Sequence, residues 1–357
     1  MSPKNLTHAK EKLDNLIEIQ RVHMYKPIQV AEILYRVRKS DLKIDEVRNQ
    51  LESYRSQSKN WGDIVTTELL DQVSTSSSRY QDNLFEDNAM PPKDLAVLAE
   101  FNKDGVIERY IYQKFREKQR RILQIGKLLH DAKPESFKLS WFLREFINDK
   151  GIKRSIDKAF EIVVYALFNT LVKNLKVTIA VSADVKESEL LREFEEFARL
   201  LIGIDVDNPV INLPARLYRA GSTNAADRGL DIWGNFGPIV QVKHLTLTEE
   251  LAEDISDGVA ADRIVIVCLD SEKETIERVS KQLGHKIQGI IVQSQLETWY
   301  DYALHGKFSD RLGTDLLTSL RQEFRNEFPF SETFEPFYKK RGYDKISKSN
   351  SPFWMED

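Results

Sequence analysis

The run Gly229-Leu230-Asp231-Ile232-Trp233-Gly234-Asn235-Phe236-Gly237-Pro238-Ile239-Val240-Gln241-Val242-Lys243 limits the fold more than any other part of this chain. It predicts a strand with an acid at its end, a Gly/Asn turn, and a second strand carrying an amide and a lysine two positions apart. In extended backbone alternate side chains share a face, so Gln241 and Lys243 point one way while Val240 and Val242 pack the other. A rigid hairpin then holds this polar pair beside Asp231. An acid, a second oxygen donor and a lysine suit magnesium-assisted cleavage of a phosphodiester. A hard divalent cation takes oxygen ligands, and a nearby ammonium orients or activates the attacking water.

Composition bounds the alternatives. A chain of 357 residues with 41% hydrophobic content can bury one large core or two modest ones. Its 52 basic and 56 acidic side chains nearly cancel, so net charge alone gives no case for a polyanionic partner. The distribution is more telling. Residues 1–160 hold 29 basic and 24 acidic side chains, which leaves the excess of acid in the remainder. The single cysteine, Cys268, lies within the apolar run 263–269 and reads as a buried structural thiol. One cysteine, and histidines without partners at ligand spacing, argue against structural zinc. No apolar run approaches the roughly 20 residues that span a bilayer, and the first residues lack the apolar core of a signal peptide. Cytoplasmic residence is the expectation.

The chain changes character near residue 150. Before it the pattern is mainly helical, from Leu6 to about Leu51 with a break at Pro27, and again from about Pro92 to Ile147. Between them residues 73–93 carry hydroxyl and amide side chains without periodicity and predict a long loop. After it a helix (Ile156–Leu175), a strand (Val177–Val181) and a helix (Glu187–Leu201) lead to the hairpin. Then come a helix (Thr248–Ala260), a buried strand (Arg263–Leu269), a helix (Glu272–Leu283), a strand (Ile287–Val292) and a helix (Leu296–Leu304). The alternation argues an α/β sandwich with a mixed sheet. The expected organisation is a mainly helical region over 1–150, serving recognition and dimerisation, an α/β core over 151–310, and a C-terminal helix with a polar tail over 311–357.

Other residues have two readings each. Lys103–Lys127 holds eight basic and three acidic residues with Tyr110, Tyr112 and Phe115 interleaved. Lys114, Arg116 and Arg120 then either contact phosphates or form a solvated helix face whose aromatic side is in the core. Ser76, Ser77, Arg79, Gln81 and Asn83, and likewise Arg219, Asn224 and Arg228, either reach base edges in a groove or belong to plain loops. His244 follows the lysine and faces away from it, which reads as structural. No Gly-rich phosphate loop with a Lys-Ser/Thr ending occurs, so ATP-driven translocation is not expected.

The hairpin resembles the PD-(D/E)xK nuclease superfamily, in the variant where Gln replaces the usual Glu or Asp. The resemblance implies Asp231 as principal metal ligand, Gln241 as a ligand through its side-chain carbonyl or as a vacated ligand position, and Lys243 as the catalytic lysine. Glu161, which interrupts an apolar helix face before the first predicted strand, either matches the glutamate that this core's opening helix offers to the metal or is an ordinary helix-surface carboxylate. The fold so implied is an α/β, mixed-sheet nuclease core with helices on both faces behind a helical N-terminal region. The runs Arg21–Leu34 and Ser74–Phe85, with the hairpin, resemble the HaeII family of type II restriction endonucleases over most of the chain. That implies Mg2+-dependent cutting of double-stranded DNA at a GC-rich palindrome, RGCGCY. It also implies a homodimer acting on two equivalent strands, a cognate DNA methyltransferase in the same system, and no membrane association. Gln241 departs from the superfamily pattern and removes one negative charge from the metal site. Two other readings therefore stay open: an Mrr-like structure- or modification-dependent nuclease, and a catalytically inactive DNA-binding protein on the same core. An α/β scaffold without a nucleic-acid role is a third.

Overall fold

The computed structural model describes residues 3–73, 82–220, 230–259, 261, 263–346 and 352–354. The N-terminal helices are α1 (Pro3–Glu18), α2 (Tyr25–Arg38), α3 (Ile44–Asn49), α4 (Leu51–Leu70), α5 (Pro92–Phe101), α6 (Val106–Asp131) and α7 (Leu139–Ile147). The first break falls at residues 19–24 and not at Pro27. Pro27 lies in the first turn of α2, where a missing N–H has no helical partner to lose. The chain turns at Met24 in the left-handed region, φ 50°.

The 26 residues of α6, about 39 Å at 1.5 Å per residue, tie two hydrophobic cores together. Ile107, Ile111 and Phe115 face the core built by α1–α5, whereas Ile122, Ile125 and Leu129 face the core beside the sheet. Spacings of three and four residues place both sets on one stripe. The first core is completed from far along the chain. Phe334 and Phe337 of a late helix, with Tyr343 and Trp354 beyond it, pack among its helices. The Lys-, Ser- and Pro-rich composition of this tail had concealed those anchors.

The second half begins with α8 (Ile156–Asn174). Strands β1 (Thr178–Ser182) and β2 (Val210–Pro214) pair antiparallel as a separate two-stranded sheet, with α9 (Ser188–Glu193) and irregular helical turns to Ile202 between them. The main sheet has the order β3 (Leu217–Arg219), β4 (Ile232–Gly234), β5 (Ile239–Thr246), β6 (Ile264–Leu269), β7 (Ile287–Val292). Pairing is antiparallel from β3 to β5 and parallel from β5 to β7. Helices α10 (Glu249–Gly258) and α11 (Lys273–Leu283) make the parallel crossovers, and Thr248 caps α10 by accepting from the Leu251 N–H. Then follow α12 (Gln293–His305), α13 (Ser309–Glu327) and α14 (Phe334–Lys340).

Helices cover both faces of the mixed sheet, as the alternation of strands and helices predicts. Val240, Val242 and Val267 pack on the side of α8, α12 and α13, while Ile264, Ile266 and Cys268 pack on the side of α10 and α11. Burial raises the Cys268 thiol above its ordinary range, as fits a structural cysteine. The strand expected at 177–181 forms, but in the small sheet. The main sheet opens instead with β3, whose three residues are too few for a sequence period to reveal. The β4–β5 turn uses Gly237 at φ 108°, where a side chain would be strained. Asn235 fastens the turn by accepting from the Arg216 N–H at 2.8 Å.

Candidate active site

Asp231 stands immediately before β4, and its carbonyl accepts from the Ala220 N–H beyond β3 at 2.9 Å. Ile232 and Val240 pair across the hairpin and enter the α8 side of the core. By strand alternation Asp231 therefore shares the opposite face with Trp233, Gln241 and Lys243. One carboxylate oxygen, Oδ2, accepts from the Val242 N–H at 2.8 Å and lies 3.5 Å from Lys243 Nζ. Gln241 is 2% exposed, and the Lys243 side chain 33%. Burial, first of all, raises the Asp231 pKa above the usual carboxylate range and Glu161 adds to it; Lys243, the Val242 N–H and Lys158 act in the other direction without cancelling it. His244 turns away, as its place in the strand predicts, and meets Phe160 edge-on with ring centroids 5.3 Å apart.

Glu161 is buried on α8 at the centre of an ion network. Its Oε1 accepts from Arg219 Nη1 at 2.9 Å and its Oε2 from Lys158 Nζ at 2.5 Å. Arg219 also donates to Glu327 Oε2 and, through Nε, to Glu323 Oε2, both at 2.8 Å. Burial opposes the charge on Arg219, but Glu327 and Glu161 outweigh it and hold its pKa above the ordinary value. The network joins α8, β3 and α13. It places the Arg219 side chain at 7% exposure, so the residue read in sequence as a groove contact is here a buried partner of Glu161. Sequence reasoning missed Lys158, Glu323 and Glu327. The signals were the three-residue spacing of Lys158 and Glu161 and the four-residue spacing of Glu323 and Glu327, each of which puts two charges on one helix face.

The donors fit a magnesium ion in kind. Asp231 and the Gln241 amide supply hard oxygens, and a carboxylate whose charge is disfavoured by burial and by Glu161 gains from a cation. Glu161 fits less directly, because both its oxygens already serve Arg219 and Lys158. Among the described residues no group of three or more His, Cys, Asp or Glu gathers as a metal cluster.

The other sequence candidates are dispersed. Ser76, Ser77, Arg79, Gln81, Asn224 and Arg228 lie outside the described residues, and Asn83 falls in the short helical turn Asp82–Phe85. On α6 the aromatic side of the basic run is in the core, as the second reading expects. Tyr110, Tyr112 and Phe115 are buried, while Arg120 is exposed and Lys114 lies 3.2 Å from Glu117. Arg116 pairs with Glu335 of α14. Lys114 and Arg120, with Arg121 and Lys150, line a groove of about 900 Å³ between α1 and α6.

A mixed-sheet hairpin that sets an acid, an amide and a lysine on one face has the donors that phosphodiester chemistry uses, and the comparisons with known proteins give the family. The profile of the HaeII restriction endonuclease family matches residues 9–343. The chain is 47% identical over 345 residues to the type II restriction enzyme HaeII of Haemophilus aegyptius, covering 94% of this chain and 97% of that protein. It is 45% identical over 343 residues to the type II restriction enzyme NgoBI of Neisseria gonorrhoeae, covering 94% and 96%. No solved structure matches. The chain belongs to the HaeII restriction endonuclease family, which places it among the type II restriction endonucleases. No helix among the described residues is long and apolar enough to cross a membrane.

Proposed function

We propose that this enzyme makes magnesium-dependent double-strand cuts in DNA at a short GC-rich palindrome, RGCGCY by family resemblance, from a PD-(D/E)xK core in which Gln241 replaces the second acid. The observation that carries the reading is the 3.5 Å approach of Lys243 Nζ to the partly buried carboxylate of Asp231 on one sheet face. Asp231 and Gln241 are the residues that hold the ion, and Glu161 contributes negative charge beside them under the restraint of Arg219 and Lys158. Bound there, Mg2+ supplies stabilisation of the negative charge that develops as water attacks phosphorus. Lys243, a third exposed, reaches solvent, and its ammonium would orient the attacking water and neutralise the phosphate. Val242 holds the Asp231 carboxylate in place through its backbone N–H. A palindrome presents two equivalent strands, which suits a twofold homodimer and, in the cell, a cognate methyltransferase that protects the host's own sites.

The test is incubation of the purified protein with a long unmethylated DNA, with magnesium or with EDTA, followed by sequencing of the fragment ends. Discrete magnesium-dependent fragments sharing one palindrome are expected. Lys243→Ala removes a charge at the reacting centre and is expected to lower cleavage by 10²-fold or more while DNA binding is retained. Intact DNA with retained salt-sensitive binding of the parent would instead favour an inactive binder, with Gln241→Glu as the variant that restores the missing charge.

A further inference from the structure

Three cations line one groove where α8 ends. Tyr165, Asn169 and Lys173 recur at four-residue spacing and so share a face of α8, and Lys176 follows the helix end at φ 51°. Arg216 and Tyr218 come in at the start of β3, and together these residues line a groove of about 640 Å³. Lys173, Lys176 and Arg216 are exposed, and no carboxylate lines the groove. Among the described residues no carboxylate forms an ion pair with any of the three. They stand free of acid in the half of the chain that carries the excess of it. Lys173, in the last turn of α8, also complements the helix dipole, but Arg216 comes from another segment that this dipole does not account for.

The groove is fastened to the hairpin that carries Asp231. Asn235, in the β4–β5 turn, accepts from the Arg216 N–H at 2.8 Å, and its own N–H donates to the Arg216 carbonyl at 3.1 Å. Its side-chain amide donates to the Pro214 carbonyl at 3.1 Å. The Ala215 N–H donates to the Val177 carbonyl at 2.9 Å, which ties in the chain just after Lys176. Within the sheet Tyr218 lies opposite Trp233, and the two rings stack with centroids 4.3 Å apart. Both are exposed, Tyr218 at 36% and Trp233 at 41%. Trp233 shares its face with Asp231, Gln241 and Lys243, two residues along from the acid. An open surface therefore runs from the groove over Tyr218 and Trp233 to Asp231. At about 3.4 Å per residue and about 4.8 Å between strands, Tyr218 stands roughly 8 Å from Asp231 along the sheet.

Charge and distance together select the occupant. Three unpaired cations call for an anion, and a duplex offers one phosphate per roughly 3.4 Å of axis on each strand. A strand whose scissile phosphate sits between Asp231 and Lys243 passes the groove within a few nucleotides of the cut. The Thr178 hydroxyl and the Asn169 amide, which also line the groove, suit phosphate oxygens. We propose that Lys173, Lys176 and Arg216 grip the DNA backbone that flanks the scissile bond, with the Tyr218–Trp233 stack as the rigid wall between grip and cut. This inference rests on the proposed function and names where its substrate lies. The role is positioning. Phosphate contacts fix a protein's register on the duplex without reading its sequence, and the Asn235 bonds carry that register to the hairpin.

Salt titrations of DNA binding by the full-length protein test the proposal, read by fluorescence anisotropy in EDTA so that nothing is cut. The probes are a duplex carrying one RGCGCY site and a duplex of scrambled sequence. The parent is set beside Lys173→Gln/Lys176→Gln/Arg216→Gln and beside the charge-retaining Lys173→Arg/Lys176→Arg/Arg216→Lys. All three positions are exposed, so the fold does not depend on them. Each phosphate contact adds about 0.9 to the slope of log K against log salt, so the neutral variant is expected to lose about 2.7 of that slope. Between roughly 50 and 200 mM salt the parent's affinity then falls about 40-fold further than the variant's. The loss is expected on both duplexes alike, with the charge-retaining variant at the parent's slope. A neutral variant with the parent's slope, or a charge-retaining variant that loses as much as the neutral one, would overturn the proposal. If the parent meanwhile cuts DNA, the nuclease reading stands without the groove. A parent with no salt-sensitive DNA binding removes both.

Discussion

Replacing Arg219 with methionine keeps most of the side chain's volume and removes the charge on which three carboxylates converge. The side chains of Glu161, Glu323 and Glu327 are 5%, 15% and 2% exposed, so water cannot replace the guanidinium. Stranding the partners of a buried ion pair costs about 3–5 kcal/mol. With an unfolding entropy of about 2.1 cal/mol/K per residue, a loss of about 4 kcal/mol lowers the Tm of a chain this long by roughly 5 °C. Thermal melts of Arg219→Met and the parent at pH 8, in EDTA, read the difference directly. Equal melting temperatures would refute the account. Arg219→Lys restores charge without the two-pronged geometry and is expected to fall between the two.

Two other substitutions probe buried titratable groups. Burial, with help from Arg21, lowers the His23 pKa from 6.5 to about 4. The unfolded chain therefore binds a proton that the folded protein refuses, and roughly 3 kcal/mol of stability is lost as the pH falls from 6.5 to 4. His23→Gln is expected to remove that part of the acid sensitivity in urea titrations at pH 7.5 and 4.5; an identical loss in both proteins would count against it. Asp231 has the opposite arrangement. Its pKa is raised, chiefly by burial, so its charge weighs against the folded state above that pKa and not below it. Asp231→Asn is expected to stabilise the metal-free protein at pH 8, with the gain vanishing in acid, and to abolish both cleavage and the rise in Tm on adding magnesium. A magnesium-induced rise of equal size in the variant would exclude Asp231 as a ligand.

The parts of the site that sequence made legible are those set by strand alternation. Gln241 and Lys243 fall on one face and Val240 on the other because a strand has a period of two, and the β4–β5 hairpin occurs where Gly and Asn predicted its turn. The Arg219–Glu161 contact was not legible. It joins residues 58 apart in sequence through a three-residue strand, and Glu323 and Glu327 approach from more than 100 residues further on. Local pattern also misled at the ends. An aromatic residue in a polar tail, such as Phe337 or Trp354, looks isolated until the far end of the chain is folded against it. Between Glu187 and Leu201 the reverse holds: the pattern predicts one helix, but it forms only as α9 and irregular turns, with Leu190, Phe194, Phe197, Leu200 and Leu201 left exposed.

The position of those late aromatics sets an order of events during synthesis. The core that surrounds α1–α5 includes Phe334, Phe337, Tyr343 and Trp354, with Tyr112 ringed by Phe337 at 4.9 Å and Tyr343 at 5.5 Å. A ribosome adds residues at about 5–20 per second, N-terminus first. The first third of the chain therefore waits, its core unfinished, while more than 200 residues are still being made. A chain built this way completes its N-terminal core only after residue 354 has been made, so a nascent or truncated chain that stops short of it lacks part of that core.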